Sequence, residues 1–455
     1  MTTKYVNPAA SSDGSGTLLS PFNTLAGKFT SSNDVILLCE GTTLTVNYLT
    51  TMGNSGQRLG CYEPQTGNEV TDNGRYASIA CPSSIADAAV LKMGGAGQTV
   101  SNIHFSVMPS AGSTTQAIRA GSTGTSSPTI TRCKFSGASR SSVGSQAITM
   151  DGADSGKFTF TYNYFSGWEY AIFMSSIDAA TNGGHIAHNI CRASQGYRSG
   201  DEEKFLHFTQ NSGTALDWAY RMIVEYNDIA EYGEYGIDLA GAQHVIVRFN
   251  EFGAPNGHKA SAGGICLGSA HTSCGSHQIY GNDFDVGATN YGIIARAGTG
   301  CRVWANRVYS SYCGISNSDY SGSVLAGNNS YWNNTIVANN FGVLNNKATG
   351  NYAYNNIISA PVAIRMLDAA GGFTYGNNCT TSANDNEIGA TFTNAGGNIL
   401  TDPMLTALLK PKRGSPCIQQ GRFITPGLVD RFGRRFNSPP SIGAVEFRPR
   451  VVLGS

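Results

Sequence analysis

The segment EYGEYGIDLAGAQHVIVRFNEF, residues 231–252, decides the fold. Apolar and polar residues alternate through much of it, as in a strand with one buried face. Asn250 then falls where an apolar residue is due, and the same irregularity recurs along the chain. FTYNYF carries Asn163, HIAHNIC Asn189, VEYNDI Asn227, IYGNDF Asn282, VWANRV Asn306, YWNNTI Asn334 and YAYNNII Asn356. The steps from Asn163 to Asn356 are 26, 38, 23, 32, 24, 28 and 22 residues. VSNIHF, ending at Phe105, and ITRCKF, ending at Phe135, keep the beat without the Asn.

A second motif interleaves with the first: a small residue, Ile or Val, any residue, then an apolar one. It reads QAIRA (116–120), YAIFM (170–174), YGIDL (235–239), GGICL (263–267), YGIIA (291–295) and FGVLN (341–345). Two short strands per repeat, repeated about ten times, predict an all-β solenoid whose coils stack as parallel sheets. The uneven steps predict loops of different length leaving each coil. Equivalent residues on stacked coils lie about 4.8 Å apart. An Asn at a repeated corner can therefore bond the Asn above and below, and can take the left-handed backbone of a tight turn.

Composition narrows the partners. Thirty basic and thirty acidic residues cancel, and no Lys/Arg run stands out. That argues against a nucleic-acid or membrane-surface partner. No apolar run approaches the roughly 18 residues of a membrane span. The eleven cysteines form no CxxC pair, and Cys39, Cys133, Cys191 and Cys266 sit in apolar runs. They predict buried free thiols rather than disulfides or a zinc site. The opening MTTKYVNPAA has no signal-peptide pattern. The histidines show no metal-ligand spacing, so no metal and no cofactor are expected.

The two ends carry a resemblance. YVNPAASSDGSGTLLSPFNTLAG followed by NDVILLCEGTTLTV, and SPCIQQG with LVDRFGRRFNSPPSIGAVEF near the end, are similar to the opening and closing segments of right-handed parallel β-helix proteins of the pectate-lyase-like superfamily. The resemblance implies an N-terminal cap over 1–35 with a short helix at about Pro21 to Phe29. It implies a single right-handed parallel β-helix of about eleven coils over 36–397 and a C-terminal capping segment over 398–455. Among such proteins the chain looks most like phage tailspike depolymerases. This implies a bacterial surface polysaccharide as partner (capsule, O-antigen or exopolysaccharide), a homotrimer, and a place on a phage tail or outside the cell. Fold alone does not fix activity.

Aligning coils by the second motif places the chemistry. Glu169 stands two residues before Ala171, Glu203 two before Phe205 in EKFLHF, and Glu234 two before Gly236. Strict alternation would point this Glu file to solvent, with Phe173, His207 and Asp238 in a second outward file. Lys204 would then point inward. Residues 165–252 hold 12 of the 30 acids and the aromatics Trp168, Tyr197, Trp218 and Tyr232. Carboxylates beside aromatic rings suit a sugar site. The candidate catalytic residues are therefore Glu169, Glu203, Glu234 and Asp238, with His207 as auxiliary. Trp168, Tyr197, Trp218, Tyr232 and Phe173 are the candidate substrate contacts. Adjacent coils would set carboxylates about 5 Å apart, as in retaining glycosidases, and alternate coils about 9–10 Å, near the inverting spacing. A third file, Asp228, Glu251, Asp283 and Arg307, reads as an edge capped by the arginine.

Glycoside hydrolysis by paired carboxylates is the expected activity. One rival is a lyase acting on a uronate polymer through Lys204, His207, Arg221 or Arg248. VEYNDIAEYGEYGIDLAGAQHVIVRFNEF faintly resembles the calcium-binding region of alginate-lyase and chondroitinase β-helices, where a lysine follows shortly after. Here Gly241 stands near that place, and no Lys or Arg lies between Glu225 and Arg248. The other rival is a rod that binds sugar without cleaving it.

Overall fold

The corner around each repeated Asn organises the chain. The computed structural model describes residues 2–46, 50–81, 89–107, 116–121, 127–137, 144–151, 157–175, 183–192, 203–209, 221–240, 242–257, 262–268, 275–296, 298–318, 327–346, 348–367, 372–386, 391–425 and 427–448. They fall into two units, Met1–Ile237 with Asn256–Lys259, and Asp238–Pro255 with Ala260–Ser455.

In each unit one coil carries three strands rather than two, because the Asn motif itself folds into a strand, a two-residue corner and a second strand. In the first unit Thr159–Thr161 runs into the corner Tyr162–Asn163 and out along Tyr164–Ser166. A third strand, Tyr170–Ser175, holds the second motif. Each strand pairs in parallel with its counterpart one coil on: Phe160 opposite Ile186, Phe165 opposite Cys191, Ile172 opposite Leu206. The second unit repeats the pattern, with Val247 opposite Ile279, Phe252 opposite Phe284 and Ile265 opposite Ile293. Phe105, Phe135 and Phe165 stack through the first unit's core at 5.3 and 5.0 Å. The ten described cysteines are buried and form no disulfide with one another; burial pushes the Cys133 thiol up to about 12.

The asparagines form the expected ladder. In the first unit the Asn163 backbone N–H and side-chain Nδ2 both donate to Asn189 Oδ1 (2.9 and 3.0 Å), and Asn189 repeats this onto Asn227 (3.0 and 2.9 Å). In the second unit the same bonds link Asn250, Asn282, Asn306, Asn334, Asn356 and Asn378. The left-handed residue, however, is the one before the Asn. Tyr162, His188, Tyr226, Phe249, Gly281, Ala305, Asn333, Asn355 and Asn377 all have φ between 48° and 68°. The Asn itself is not left-handed, and its amide bonds along the stack.

Strict alternation fails at the second motif. A Cβ on Gly292 would meet Val308 Cγ1 at 2.6 Å, and one on Gly314 would meet Ile336 Cγ2 at 2.3 Å, so the small residue faces the core. The following Ile293 and Ile315 are also fully buried. Two successive inward positions need a bend in the strand; the first is filled by Gly or Ala on most coils and by the fully buried Phe205 on one.

The expected helix at Pro21–Phe29 is absent, and no described residue is helical. A single turn closes there, with the Lys28 N–H on the Leu25 carbonyl, and ends at Gly27 with φ 65°. The Thr24 hydroxyl caps Ala26, which satisfies the turn without a second one.

Near the end of the chain, residues 401–448 form turns and bridges that dock on the second unit's coils. Asn333 and Asn355 donate to the carbonyls of Ser441 and Arg422 (2.9 and 2.7 Å), and the Ala444 N–H donates to Thr335 Oγ1 (2.9 Å). Leu428, Val429 and Phe436 cover Tyr280, Trp304 and Ala305.

One buried titratable group in this unit makes stability depend on pH. The His277 ring is fully buried; its Nδ1 accepts the Val245 N–H (3.3 Å) and its Nε2 has no partner among the described residues. Burial, with His244 adding to it, pulls its pKa from 6.5 to about 3. The unfolded chain therefore binds a proton below 6.5 that the folded chain refuses, and stability falls as pH drops. Between pH 7 and pH 4 the loss is on the order of 3 kcal/mol. Denaturation curves of His277→Gln against the parent check this: the variant's midpoint should lose less over that range.

Candidate active site

Strand register puts the Glu file together. Tyr170 pairs with Lys204 and Phe173 with His207, so Glu169 and Glu203 occupy the same place on successive coils. The Lys204 N–H donates to the Glu169 carbonyl (2.8 Å), and the Glu234 N–H to the Glu203 carbonyl (3.4 Å), which continues the file into a third coil.

The carboxylates do not stand in open solvent as alternation predicts. Glu169 is 8 %, Glu203 1 % and Glu234 8 % exposed. They precede the bend at the small residue, where the alternation resets. Each is held by a different group. The Gly144 N–H donates to Glu169 Oε2, and Asn256 Nδ2 donates to Glu203 Oε2. Lys204 Nζ pairs with Glu234 Oε2 at 3.1 Å while lying 5.5 Å from the Tyr235 ring centroid. Lys204 is itself buried and begins its strand, Lys204–Thr209. Like charges one coil apart repel, and this set of donors offsets that repulsion.

His207 is half-buried. Its ring stacks on Tyr170 at 5.1 Å and packs on Phe173 at 5.5 Å, so these three form one aromatic patch beside the carboxylates. Trp168 and Tyr232, expected as sugar platforms, are 3 % and 1 % exposed and serve as packing instead. Neither the Trp168 Nε1 nor the Tyr232 hydroxyl has a partner among the described residues. Tyr197 and Trp218 lie outside the described residues. Asp238 belongs to the second unit, where it is buried and accepts the Ala240 N–H at 3.1 Å.

Asn256 and Gly144 are the partners that sequence reasoning missed. Asn256 lies 53 residues from Glu203, and no repeat marks it. Tyr170 was legible, because it aligns with Lys204 one residue before the small position.

The third acid file is closed by cations. In the second unit Arg307 Nε donates to Asp283 Oδ1 (2.6 Å), and Arg431 from the C-terminal segment donates to Oδ2 (2.7 Å). Burial would push the Asp283 carboxyl up, but the two guanidinium groups hold it below the usual carboxylate range. This file is an edge capped by arginine, with a second arginine beyond the expected one.

No protein-family model and no curated protein matches the sequence. Solved structures do match. The Dettilon tailspike protein is 15 % identical, with 82 % of this chain and 68 % of that chain covered and a TM-score of 0.53. The alginate lyase AlyF-OU02, in complex with G6, is 13 % identical over 80 % of this chain and 83 % of that one, with a TM-score of 0.56. A mannuronic acid specific polysaccharide family 6 lyase from human gut microbiota is 13 % identical over 87 % and 91 %, with a TM-score of 0.52. At these identities the similarity is one of fold, and with the parallel registers above it makes the chain a parallel β-helix.

Proposed function

We propose that the chain cleaves a bacterial surface polysaccharide, with Glu169 and Glu234 as the acid–base pair of a glycoside hydrolysis. The observation that carries this reading is the stack of Glu169, Glu203 and Glu234 on three successive coils, each held by its own donor. A purely structural column would be served as well by apolar residues, since buried charges cost desolvation. Glu169 and Glu234 keep some exposure, whereas Glu203 between them is covered. Alternate coils set the pair about 9–10 Å apart, which leaves room for a water and suits inversion. Glu203 accepts the Glu234 N–H on its carbonyl and is itself held by Asn256. The Tyr170, Phe173 and His207 patch offers an apolar wall for a sugar ring. The tailspike neighbour supports a place on a phage tail, and a homotrimer is the assembly that the resemblance to tailspikes implies.

A lyase is the second reading, and Lys204 favours it. Its ammonium lies 3.1 Å from Glu234, within the site and not at the sequence position where lyases of this fold were expected to carry a lysine. The neighbours named as alginate and mannuronate lyases add weight to it.

The test is cleavage of a panel of capsular, O-antigen and uronate polymers, followed by new reducing ends. Glu169→Gln and Glu234→Gln should each slow cleavage by about a hundredfold or more. Both variants cutting as fast as the parent would remove the site from these residues.

A further inference from the structure

We propose that Tyr162, His188 and Tyr226 in the first unit form a separate binding face for an acidic glycan. The proposal rests on the glycan-directed reading above but not on catalysis. The three rings stack almost parallel, at 4.8 and 5.2 Å with interplanar angles of 4°, and their edges face outward. Tyr162 is 47 % and Tyr226 50 % exposed, and His188 is exposed between them.

Their backbone does not call for these residues. Each occupies the left-handed corner, with φ of 59°, 56° and 54°. Bulky side chains are disfavoured in that backbone, and Asn or Gly suits it. The second unit follows that preference with Gly281, Asn333, Asn355 and Asn377. Where it does place aromatic rings near this corner, at Phe249, Tyr280 and Trp304, its own C-terminal segment packs over them. In the first unit Tyr162 and Tyr226 keep about half of their surface open and His188 is exposed.

Their edges form a row of hydrogen-bonding groups suited to sugar hydroxyls. Among the described residues no hydrogen-bond partner meets the Tyr162 hydroxyl or the His188 ring nitrogens. A groove of about 480 Å³ runs beside the row, with Tyr164 and Ile190 as an apolar wall and Lys134 as its cation. Lys134 Nζ lies 5.9 Å from the Tyr164 ring centroid, and no carboxylate pairs with it among the described residues. A saccharide carrying carboxylates fits all three features: hydroxyls on the ring edges, an apolar sugar face on the wall, and charge on Lys134.

The double variant Tyr162→Asn/Tyr226→Asn removes the rings while giving the corner a residue that prefers its backbone. In affinity gels containing alginate, polygalacturonate or dextran, the full-length parent should be retarded by at least one of the two acidic polymers and not by dextran. The double variant should bind that polymer at least fivefold more weakly, with an unchanged thermal midpoint and unchanged cleavage of short oligosaccharides. Lys134→Gln should weaken the same binding. Three outcomes would each overturn the proposal: a parent that neither acidic polymer retards, a double variant that binds as tightly as the parent, or a parent oligomer that the double variant splits. The last would make the face a contact between copies. A parent that binds but cleaves nothing would sink the catalytic reading and leave this one standing.

Discussion

Asn306→Ala should destabilise the coils around it by about 3–5 kcal/mol, a large loss for a single truncation. The Asn306 side chain is fully buried and makes four bonds. Its Nδ2 donates to the Ile279 carbonyl (2.9 Å) and to Asn334 Oδ1 (3.0 Å). Its Oδ1 accepts from both the backbone N–H and the Nδ2 of Asn282 (3.0 Å each). Alanine leaves the buried Asn282 N–H without its acceptor and takes a donor from the buried Ile279 carbonyl, and each unmet group costs roughly 1–3 kcal/mol. The side-chain amides of Asn282 and Asn334 keep their other bonds. Stability in a repeat fold is summed over neighbouring coils, so the damage should be local before it is global. Hydrogen–deuterium exchange should show lost protection from about residue 278 to residue 336, with a lower denaturation midpoint. Unchanged exchange there would mean that the ladder follows from the fold rather than supporting it.

Asp283→Asn should cost on the order of 3–5 kcal/mol, because it leaves two buried guanidinium groups around a neutral amide. Asp283 joins Arg307 of the coils to Arg431 of the C-terminal segment, and Arg307 also donates to the Leu408 carbonyl (2.7 Å). The loss should therefore appear first as release of residues 401–448. Trypsin should cut the variant within that segment under conditions where the parent survives. A variant as resistant as the parent would show that the apolar contacts of Leu428, Val429 and Phe436 hold the segment by themselves.

The fold was legible because the ladder leaves no choice of residue. Only an amide both donates along the stack and accepts from the coil before, so Asn recurs at Asn163, Asn189 and Asn227 whatever surrounds it. The left-handed corner was less legible. Its occupant changes from Tyr162 to His188 to Gly281, and no single residue type marks it. The three-coil Glu file was readable from its fixed distance to the first inward position, held by Ala171, Phe205 and Gly236. Its burial was not, because alternation assumes that successive residues face opposite ways. The bend at Ala171, Gly292 and Gly314 puts two neighbours inward and resets the count. Lys204 looked out of place in the sequence for the same reason, yet it meets Glu234 across one coil. Asn256 reaches Glu203 from a distant segment, and no local pattern carries such a contact. Among the aromatics, size and position suggested Trp168 and Tyr232 as platforms, but the core claimed both.

Proton NMR of the first products released from a susceptible polysaccharide tests the catalytic reading most directly. Glu169 and Glu234 on alternate coils predict a new reducing end whose anomeric configuration is opposite to that of the bond cut. A retained configuration would move the chemistry to neighbouring coils and to Glu203, and an unsaturated uronate at the new non-reducing end would replace hydrolysis with elimination at Lys204.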